Sequence, residues 1–414
     1  MVLLELIADK EKYLDLVKKE WLSAPDVFPS FLNNISKETK IKNEHYLQTF
    51  FTDFGDQLKK YRKIPIGRKK WRKKTINLLQ EVLYKESIIG LHHSMDHQTI
   101  DAFVQEIKEF LHQVREFAPE LSFADIGQAI RNYIVYAMFK ELHNVKSGFN
   151  IAGFGYSMLY PFTDNYIDSK ICTEKEKQEY NQIIRDKIKG KDVHPKTLHQ
   201  SKTCELLQAI ESAYPRDCDT QVFPLLLMML EAQETSIKQQ SKDLLLTYEE
   251  RLNISIYKGG ISVLIDRFFV NKEITEADLI FYLSFGYFLQ LADDLQDIKE
   301  DSTQGHCTIF TLDLKCSQEE KVVNKMLHFV HQITYSYPSE NNSFKYFILS
   351  SCYQLIYSSI AGSKEFFSRD YLDRIETYLP VTYPYLDKLL TNRIENREFK
   401  IQANYMNIMD ELIK

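Results

Sequence analysis

Hydrophobic residues recur at spacings of three and four along most of this chain, which is the pattern of one face of an α-helix. The pattern is clear in DAFVQEIKEFLHQVREF (residues 101–117), SFADIGQAIRNYIVYAMFKEL (122–142) and TCELLQAIESAY (203–214). The 414 residues include only 13 Gly and 11 Pro, fewer than the turns of a sheet protein would need. The sequence therefore predicts an all-α fold.

A change in composition between residues 55 and 100 indicates a boundary between two helical regions. The segment YRKIPIGRKKWRKKT (61–75) is strongly basic, and GLHHSMDHQT (90–99) is typical of a loop. We predict an N-terminal helical region of unknown role at residues 1–95 and one helical domain at 96–414. Further along, the two prolines of TYLPVTYPYL (377–386) are expected to bend or break a helix.

Charge and cysteine content narrow the functional classes. A net charge of −6 is too small to indicate a nucleic-acid partner. The six cysteines form no CxxC pair, which favours a reduced, cytoplasmic protein without structural zinc. The first 21 residues mix acids and lysines with apolar residues, unlike a signal peptide. No apolar run reaches the roughly 20 residues that cross a bilayer, so we expect no membrane span.

An acidic cluster follows the apolar run FYLSFGYFLQLA, in QLADDLQDIKED (290–301). Asp293, Asp297 and Asp301 are spaced four residues apart, so on one continuous helix they lie near one face, with Asp294 beside the row. Carboxylates this close repel one another unless a cation compensates their charge. Mg²⁺ takes oxygen ligands and often shares them with substrate phosphates. The row of aspartates therefore predicts a binding site for Mg²⁺ and a diphosphate. The alternative is a solvated acidic face.

A second pair of acids has the same arrangement. The glycine-containing apolar stretch GFNIAGFGYSMLY (148–160) leads into Asp164 and Asp168, which are one helical turn apart. Pro161 is expected near the start of their helix. Because a metal-bound diphosphate needs acids from two sides, the two segments are expected to face each other.

Together these motifs resemble those of the class I isoprenoid synthases, the helical family of prenyl diphosphate synthases and terpene synthases. QLADDLQD is similar to the second aspartate-rich motif of the trans-prenyltransferases, and DNYID stands where the first would be. IYKGGISVLID (256–266) is similar to a stretch of the bacterial large terpene synthases. The resemblance covers roughly residues 120–390. It implies an isoprenoid synthase helical bundle with a central apolar cavity.

The resemblance also implies roles for individual residues. More than one Mg²⁺ ion would be held by the acids of the two motifs, namely Asp164, Asp168, Asp293, Asp294, Asp297 and Asp301. The diphosphate would be bound by three cationic side chains, Lys258, Arg251 and Arg131. Gly259 and Gly260 would either let their helix break near the diphosphate or cap its end.

The chain departs from the family pattern at three points. Asn165 follows Asp164, so the first motif lacks its doubled aspartate. The glycine-lysine-arginine signature for isopentenyl diphosphate does not stand out, and only RDYLDR (369–374) follows the second motif where an Arg-Tyr pair is usual. The missing signature argues against chain elongation. We therefore predict a terpene synthase, a carbon–oxygen lyase that acts on an allylic prenyl diphosphate.

Two other functions stay open. One is a prenyltransferase, either a prenyl diphosphate synthase or an enzyme of the squalene/phytoene synthase type. The other is a non-catalytic helical partner protein whose acids are only surface. Chain length of the substrate, product skeleton and oligomeric state, a homodimer included, do not follow from the sequence.

Two further segments have chemistry-bearing side chains. In HHSMDH (92–97), His93 and His97 have the spacing of helical metal ligands, but the surroundings favour a loop without metal. The basic run RKKWRKK (68–74) is expected to be a solvated helix face. Weak contact with an anionic membrane surface and contact with the substrate diphosphate are the alternatives.

Overall fold

The computed structural model describes residues 2–61, 67–167, 169, 172–240, 245–312, 316–395 and 399–414, and Asp168 lies outside them. These residues form helices and no strand, so the prediction of an all-α fold is confirmed. The α-helices are α1 Val2–Ala8, α2 Lys10–Ser23, α3 Lys37–Lys59, α4 Arg68–Lys85, α5 His97–Phe117, α6 Phe123–Leu142, α7 Ile151–Ile167, α8 Glu174–Ile188, α9 Leu198–Ala213, α10 Val222–Ser236, α11 Tyr248–Val270, α12 Glu276–Gln296, α13 Ile298–Gln304, α14 Cys316–Ser336, α15 Asn342–Gly362, α16 Arg369–Glu376, α17 Tyr383–Glu395 and α18 Phe399–Ile413.

The starts of several central helices are fixed by side-chain caps. In α6, α8, α11 and α12, a Ser or Thr precedes the helix and an acid follows three residues later, and the two side chains exchange hydrogen bonds with each other's backbone. Such capping boxes satisfy backbone N–H groups that would otherwise lack partners. Local sequence therefore sets where these helices begin.

Two antiparallel helices, α11 and α12, cross at glycines in the middle of the bundle. A methyl group added to Gly286 would lie 2.1 Å from the Gly259 carbonyl oxygen, and one added to Gly260 would lie 3.1 Å from the Leu283 carbonyl oxygen. Glycine therefore lets the two backbones touch. The expectation that Gly259 and Gly260 break or cap their helix is wrong, since α11 continues to Val270.

The helix α7 packs against α6 on one side and α9 on the other, while α10 packs on α11. Pro161 lies inside α7 rather than near its start, because the helix already begins at Ile151. Proline has no N–H, so the Ser157 carbonyl lacks the usual partner four residues on. Large aromatic side chains fill the interior of the bundle, among them Tyr133, Tyr136, Phe139, Tyr282 and Phe288.

The first two helices belong to the same bundle. Trp21 of α2 is fully buried against α12, with its ring 5.4 Å from that of Tyr287, and its Nε1 donates a hydrogen bond to the Tyr248 hydroxyl at 2.8 Å. Lys10 forms an ion pair with Glu231 of α10 at 2.7 Å. These contacts join α1 and α2 to α10, α11 and α12, and the boundary at residue 95 stays a prediction.

The next two helices, α3 and α4, pack on the C-terminal part of the chain. The Asn43 side chain donates to the Pro380 carbonyl at 2.9 Å, and Arg72 lies 3.6 Å from Glu411 of α18. The segment 377–386 interrupts the helical path as expected, because α16 ends at Glu376 and α17 begins at Tyr383. Among the described helices, none is both long and apolar enough to cross a membrane.

Candidate functional site

The acidic row lies where α12 ends and α13 begins. Asp297 stands between the two helices, so the acids are not on one continuous helix as predicted. The interruption is small: the Asp297 N–H donates to the Asp293 carbonyl at 2.9 Å, and the Asp301 N–H donates to the Asp297 carbonyl at 2.9 Å. The carboxyl groups therefore still follow one another at successive turns.

These acids line an open polar cleft of about 1020 Å³. Its other walls come from the start of α8, the end of α10 and the residues that follow α7 and α10. Among the described residues, six carboxyl groups face it, against two lysines, Lys177 and Lys258. The carboxyl groups are those of Glu174, Asp293, Asp294, Asp297, Glu300 and Asp301. The cleft therefore has an excess of negative charge and attracts cations.

The carboxyl groups disfavour their own ionisation. Burial raises the pKa of Asp294 to about 8, although Gln290 donates a hydrogen bond to its Oδ1 at 2.9 Å. Partial burial, together with the charges of Asp293 and Asp301, raises the pKa of Asp297 to about 6. Burial, with the charges of Asp293 and Glu300, raises the pKa of Asp301, while the imidazole of His306 at 3.0 Å opposes the rise. Without a counter-charge, Asp294 keeps its proton at neutral pH, whereas Asp297 is mostly ionised there.

This donor set fits Mg²⁺, which prefers carboxylate oxygens. Asp293 and Asp297 are exposed to the cleft, and the buried Oδ2 of Asp294 has no hydrogen-bond partner. In the part of the chain that the structure describes, no three acidic, histidine or cysteine side chains already converge as a metal cluster. Ions at this site would have to displace protons and draw the acids together.

The first predicted motif lies beside the cleft. Asp164 is partly buried in α7, and its Oδ1 accepts hydrogen bonds from Gln233 Nε2 at 2.6 Å and from Thr163 Oγ1 at 3.2 Å. It is not among the described residues that line the cleft, but α7 ends at Ile167 and Ser169 lines it. The structure thus brings the ends of α7 and α12 to one cleft. The pairing of Asp164 with Asp168 cannot be followed, since Asp168 lies outside the described residues.

The three predicted cations have different surroundings. Lys258 lines the cleft, and its charge lowers the pKa of Asp294. Arg131 is exposed on α6, close enough for its charge to lower the pKa of Asp297. Arg251, by contrast, is buried.

The guanidinium of Arg251 serves the neighbouring backbone. It donates to the Thr308 carbonyl at 2.7 Å and to the Leu246 carbonyl at 3.1 Å. These bonds tie α11 to the segment after α13, which argues against a direct role of Arg251 on a diphosphate. No motif of the sequence points to Lys177, which stands in a polar helix and forms a loose ion pair with Glu174 at 3.8 Å.

The apolar space beside α7 is small. It measures about 30 Å³ and lies among side chains of α7, α8, α9 and α10, including Tyr156, Tyr160 and Met229. Pockets for small organic ligands measure about 300–1,000 Å³. A central apolar cavity large enough for a prenyl chain therefore stays a prediction.

The HHSMDH segment forms the entry to α5. Asp96 caps that helix by accepting a hydrogen bond from the Thr99 N–H at 2.7 Å. His97 stacks on Tyr84 with ring centroids 4.3 Å apart, and the rings of His92 and His93 are 3.9 Å apart. These contacts agree with the loop interpretation.

Comparisons with models of protein families, with curated proteins and with solved structures found no match to this chain. The likeness to isoprenoid synthases therefore rests on the motifs alone.

Proposed function

We propose that this protein is a class I terpene synthase that uses Mg²⁺ to ionise an allylic prenyl diphosphate and releases a terpene hydrocarbon or alcohol. The observation that carries the proposal is the cleft at the α12–α13 junction, where six carboxyl groups and two lysines of the described residues line about 1020 Å³. A fully solvated acidic face would not bury a carboxyl group, whereas Asp294 is buried and its Oδ2 has no hydrogen-bond partner. Acids that are partly withheld from water are typical of sites that bind a cation.

In this proposal Asp293 and Asp297 hold the metal from the cleft wall, with Asp294 and Asp301 behind them. Mg²⁺ supplies Lewis-acid neutralisation of the departing diphosphate. Lys258 and the newly found Lys177 supply fixed positive charge to the same group. The Gln290 side chain orients Asp294 through its hydrogen bond at 2.9 Å.

The prenyl chain needs an apolar path beside the cleft. The side chains between α7 and α10 offer one, and the rings of Tyr156 and Tyr160 border it. Aromatic faces stabilise a carbocation by cation–π attraction. Because the space there is about 30 Å³, the proposal requires α7 and α10 to move apart when substrate enters.

The metal site is tested by Asp297→Asn, which keeps the side-chain volume and removes the charge. We expect Mg²⁺-dependent diphosphate release from an allylic diphosphate in the wild type, and at least a hundredfold loss in the variant, since metal-ligand charge is needed in the transition state. The matched control is Asp370→Asn, an exposed aspartate on α16. Equal loss in both variants, or equal turnover with EDTA, would contradict the proposal.

A second function is favoured by one observation, the small apolar space. A non-catalytic helical partner protein needs no cavity for a hydrocarbon chain, and its acids would be surface. Such a protein would show neither diphosphate release nor Mg²⁺ binding. The remaining alternative, a prenyltransferase, is separated by isopentenyl diphosphate: a terpene synthase turns over the allylic substrate alone, whereas an elongating enzyme requires both.

A further inference from the structure

Positive charge is concentrated in one short stretch of this acidic chain. Residues 57–80 contain ten lysines and arginines and no aspartate or glutamate, although the whole chain has a net charge of −6. Blocks of one sign repel internally and are characteristic of segments that contact a charged partner. The helix α4 carries six of the ten, from Arg68 to Lys74.

The basic residues of α4 divide between two faces. Arg68 and Arg72 turn toward α18, where they lie 3.8 and 3.6 Å from the buried Glu411. Trp71 faces inward and is 8% exposed, and its Nε1 donates to the Gln57 carbonyl of α3 at 2.7 Å. The inner side of α4 is therefore fixed by packing and by a neutralised acid.

The outer side of α4 is a row of four lysines, Lys69, Lys70, Lys73 and Lys74. All four are exposed, and among the described residues none of them has an acid within ion-pair distance. Other lysines of the chain do find one, for example Lys85 with Glu81 at 2.8 Å on the same helix.

The lysine row destabilises α4, and among the described residues no ion pair of these four lysines compensates for it. Lys69 and Lys73, and likewise Lys70 and Lys74, are like charges four residues apart on one helix, which destabilises the helix. All four side chains are exposed, so core packing does not account for the row. An anionic partner outside the chain would relieve the repulsion.

We propose that the outer face of α4 is a docking surface for an anionic lipid bilayer. Clusters of four to eight basic residues on one helix are the electrostatic signature of binding to anionic headgroups. The adjoining helix α3 adds exposed aromatic surface, since Phe51 is 41% exposed and stands 5.5 Å from the ring of Phe50. Exposed aromatic rings suit the boundary between headgroups and acyl chains.

A bilayer suits this face better than a nucleic acid does. The outer row holds lysines and no arginine, asparagine or glutamine, so it offers point charges for headgroup phosphates and only one of the side-chain types that read base edges. The docking surface does not depend on the proposed function. If that function holds, docking would bring the enzyme to a membrane that dissolves prenyl substrates and hydrocarbon products.

The test is co-sedimentation of the full-length protein with vesicles of phosphatidylcholine alone or mixed with phosphatidylserine, at low and high salt. We expect binding only to the mixed vesicles, and release by salt. Replacing Lys69, Lys70, Lys73 and Lys74 by Gln should weaken binding by about a hundredfold or more, since each lysine contributes roughly fivefold. The control variant replaces four exposed lysines on other elements, Lys37, Lys146, Lys189 and Lys321, and should bind like the wild type.

Circular dichroism melting verifies that both quadruple variants fold. Equal binding by the two variants would overturn the proposal, because net charge rather than this face would then attract the protein. Absence of wild-type binding to mixed vesicles would overturn it as well. So would tighter binding to a double-stranded DNA oligonucleotide at the same salt, which would assign the face to nucleic acid.

Discussion

The glycine crossing of α11 and α12 predicts that a Gly→Ala substitution there destabilises the protein, because tertiary packing outweighs helix propensity. Gly286→Ala places a methyl group 2.1 Å from the Gly259 carbonyl oxygen and 2.6 Å from its carbon. Carbon atoms of this kind do not approach closer than 3.0 Å, so the helices must separate by about 1 Å. Both partners are backbone, so no side-chain rotation relieves the clash.

The expected change in the free energy of unfolding is the sum of two opposed contributions. Overpacking a core costs about 1–3 kcal/mol, and a clash between two backbones belongs to the upper part of that range. Alanine in place of glycine within a helix returns about 1 kcal/mol. We therefore expect Gly286→Ala to lower the free energy of unfolding by about 2 kcal/mol.

The control is Gly55→Ala in α3, where an added methyl group meets nothing within 4 Å. Its expected effect is a gain of up to about 1 kcal/mol, from helix propensity alone. Urea unfolding followed by circular dichroism measures both variants against the wild type. The reasoning about the crossing is refuted if Gly286→Ala is as stable as Gly55→Ala.

Three further predictions concern buried and cleft carboxyl groups. Asp266 is fully buried and its pKa is raised by desolvation. The unfolded chain therefore ionises first, and the wild type loses about 1.4 kcal/mol per pH unit above about pH 4 relative to Asp266→Asn. Parallel stability–pH curves for the two proteins would contradict this. In the cleft, Mg²⁺ affinity measured by calorimetry should rise from pH 6 to pH 8, because Asp297, with a pKa of about 6, and Asp294, with a pKa of about 8, must lose protons to bind it. A flat profile would exclude them as ligands. Finally, Lys140→Met should lower the free energy of unfolding in urea by about 3–5 kcal/mol, since it leaves the buried Glu106 without its ion-pair partner at 2.9 Å. Lys140→Met combined with Glu106→Gln should cost less than Lys140→Met alone, and an equal or larger cost would refute the argument.

The features that the sequence predicts well are those that local chemistry decides. Apolar spacing of three and four recurs through most helices, so the all-α class follows directly. Pro380 lies in the interruption of the helical path between Glu376 and Tyr383, as expected of a residue without an N–H, whereas Pro384 stands in the first turn of α17, where a missing N–H costs no hydrogen bond. The acid spacing also survives: Asp293 and Asp297 remain one turn apart although a helix ends between them.

The features that it predicts poorly depend on partners that are distant along the chain. Pro161 lies inside α7, where packing against α6 and α9 holds the helix together across the missing hydrogen bond. The local sequence predicts a break or a cap at Gly259. It does not show that Gly286, on another helix, packs against this glycine. The resemblance assigns Arg251 to a diphosphate, yet its guanidinium donates hydrogen bonds to the carbonyl groups of Leu246 and Thr308.

The central claim is that the acidic cleft ionises an allylic diphosphate. The most direct measurement is diphosphate release by the wild type with Mg²⁺, one allylic diphosphate at a time from C10 to C25, without isopentenyl diphosphate, with organic extracts read by mass spectrometry. The account predicts release with at least one substrate, together with a hydrocarbon or alcohol product. Absence of diphosphate release with every substrate of the series would contradict it. Release only after isopentenyl diphosphate is added would identify a prenyltransferase instead.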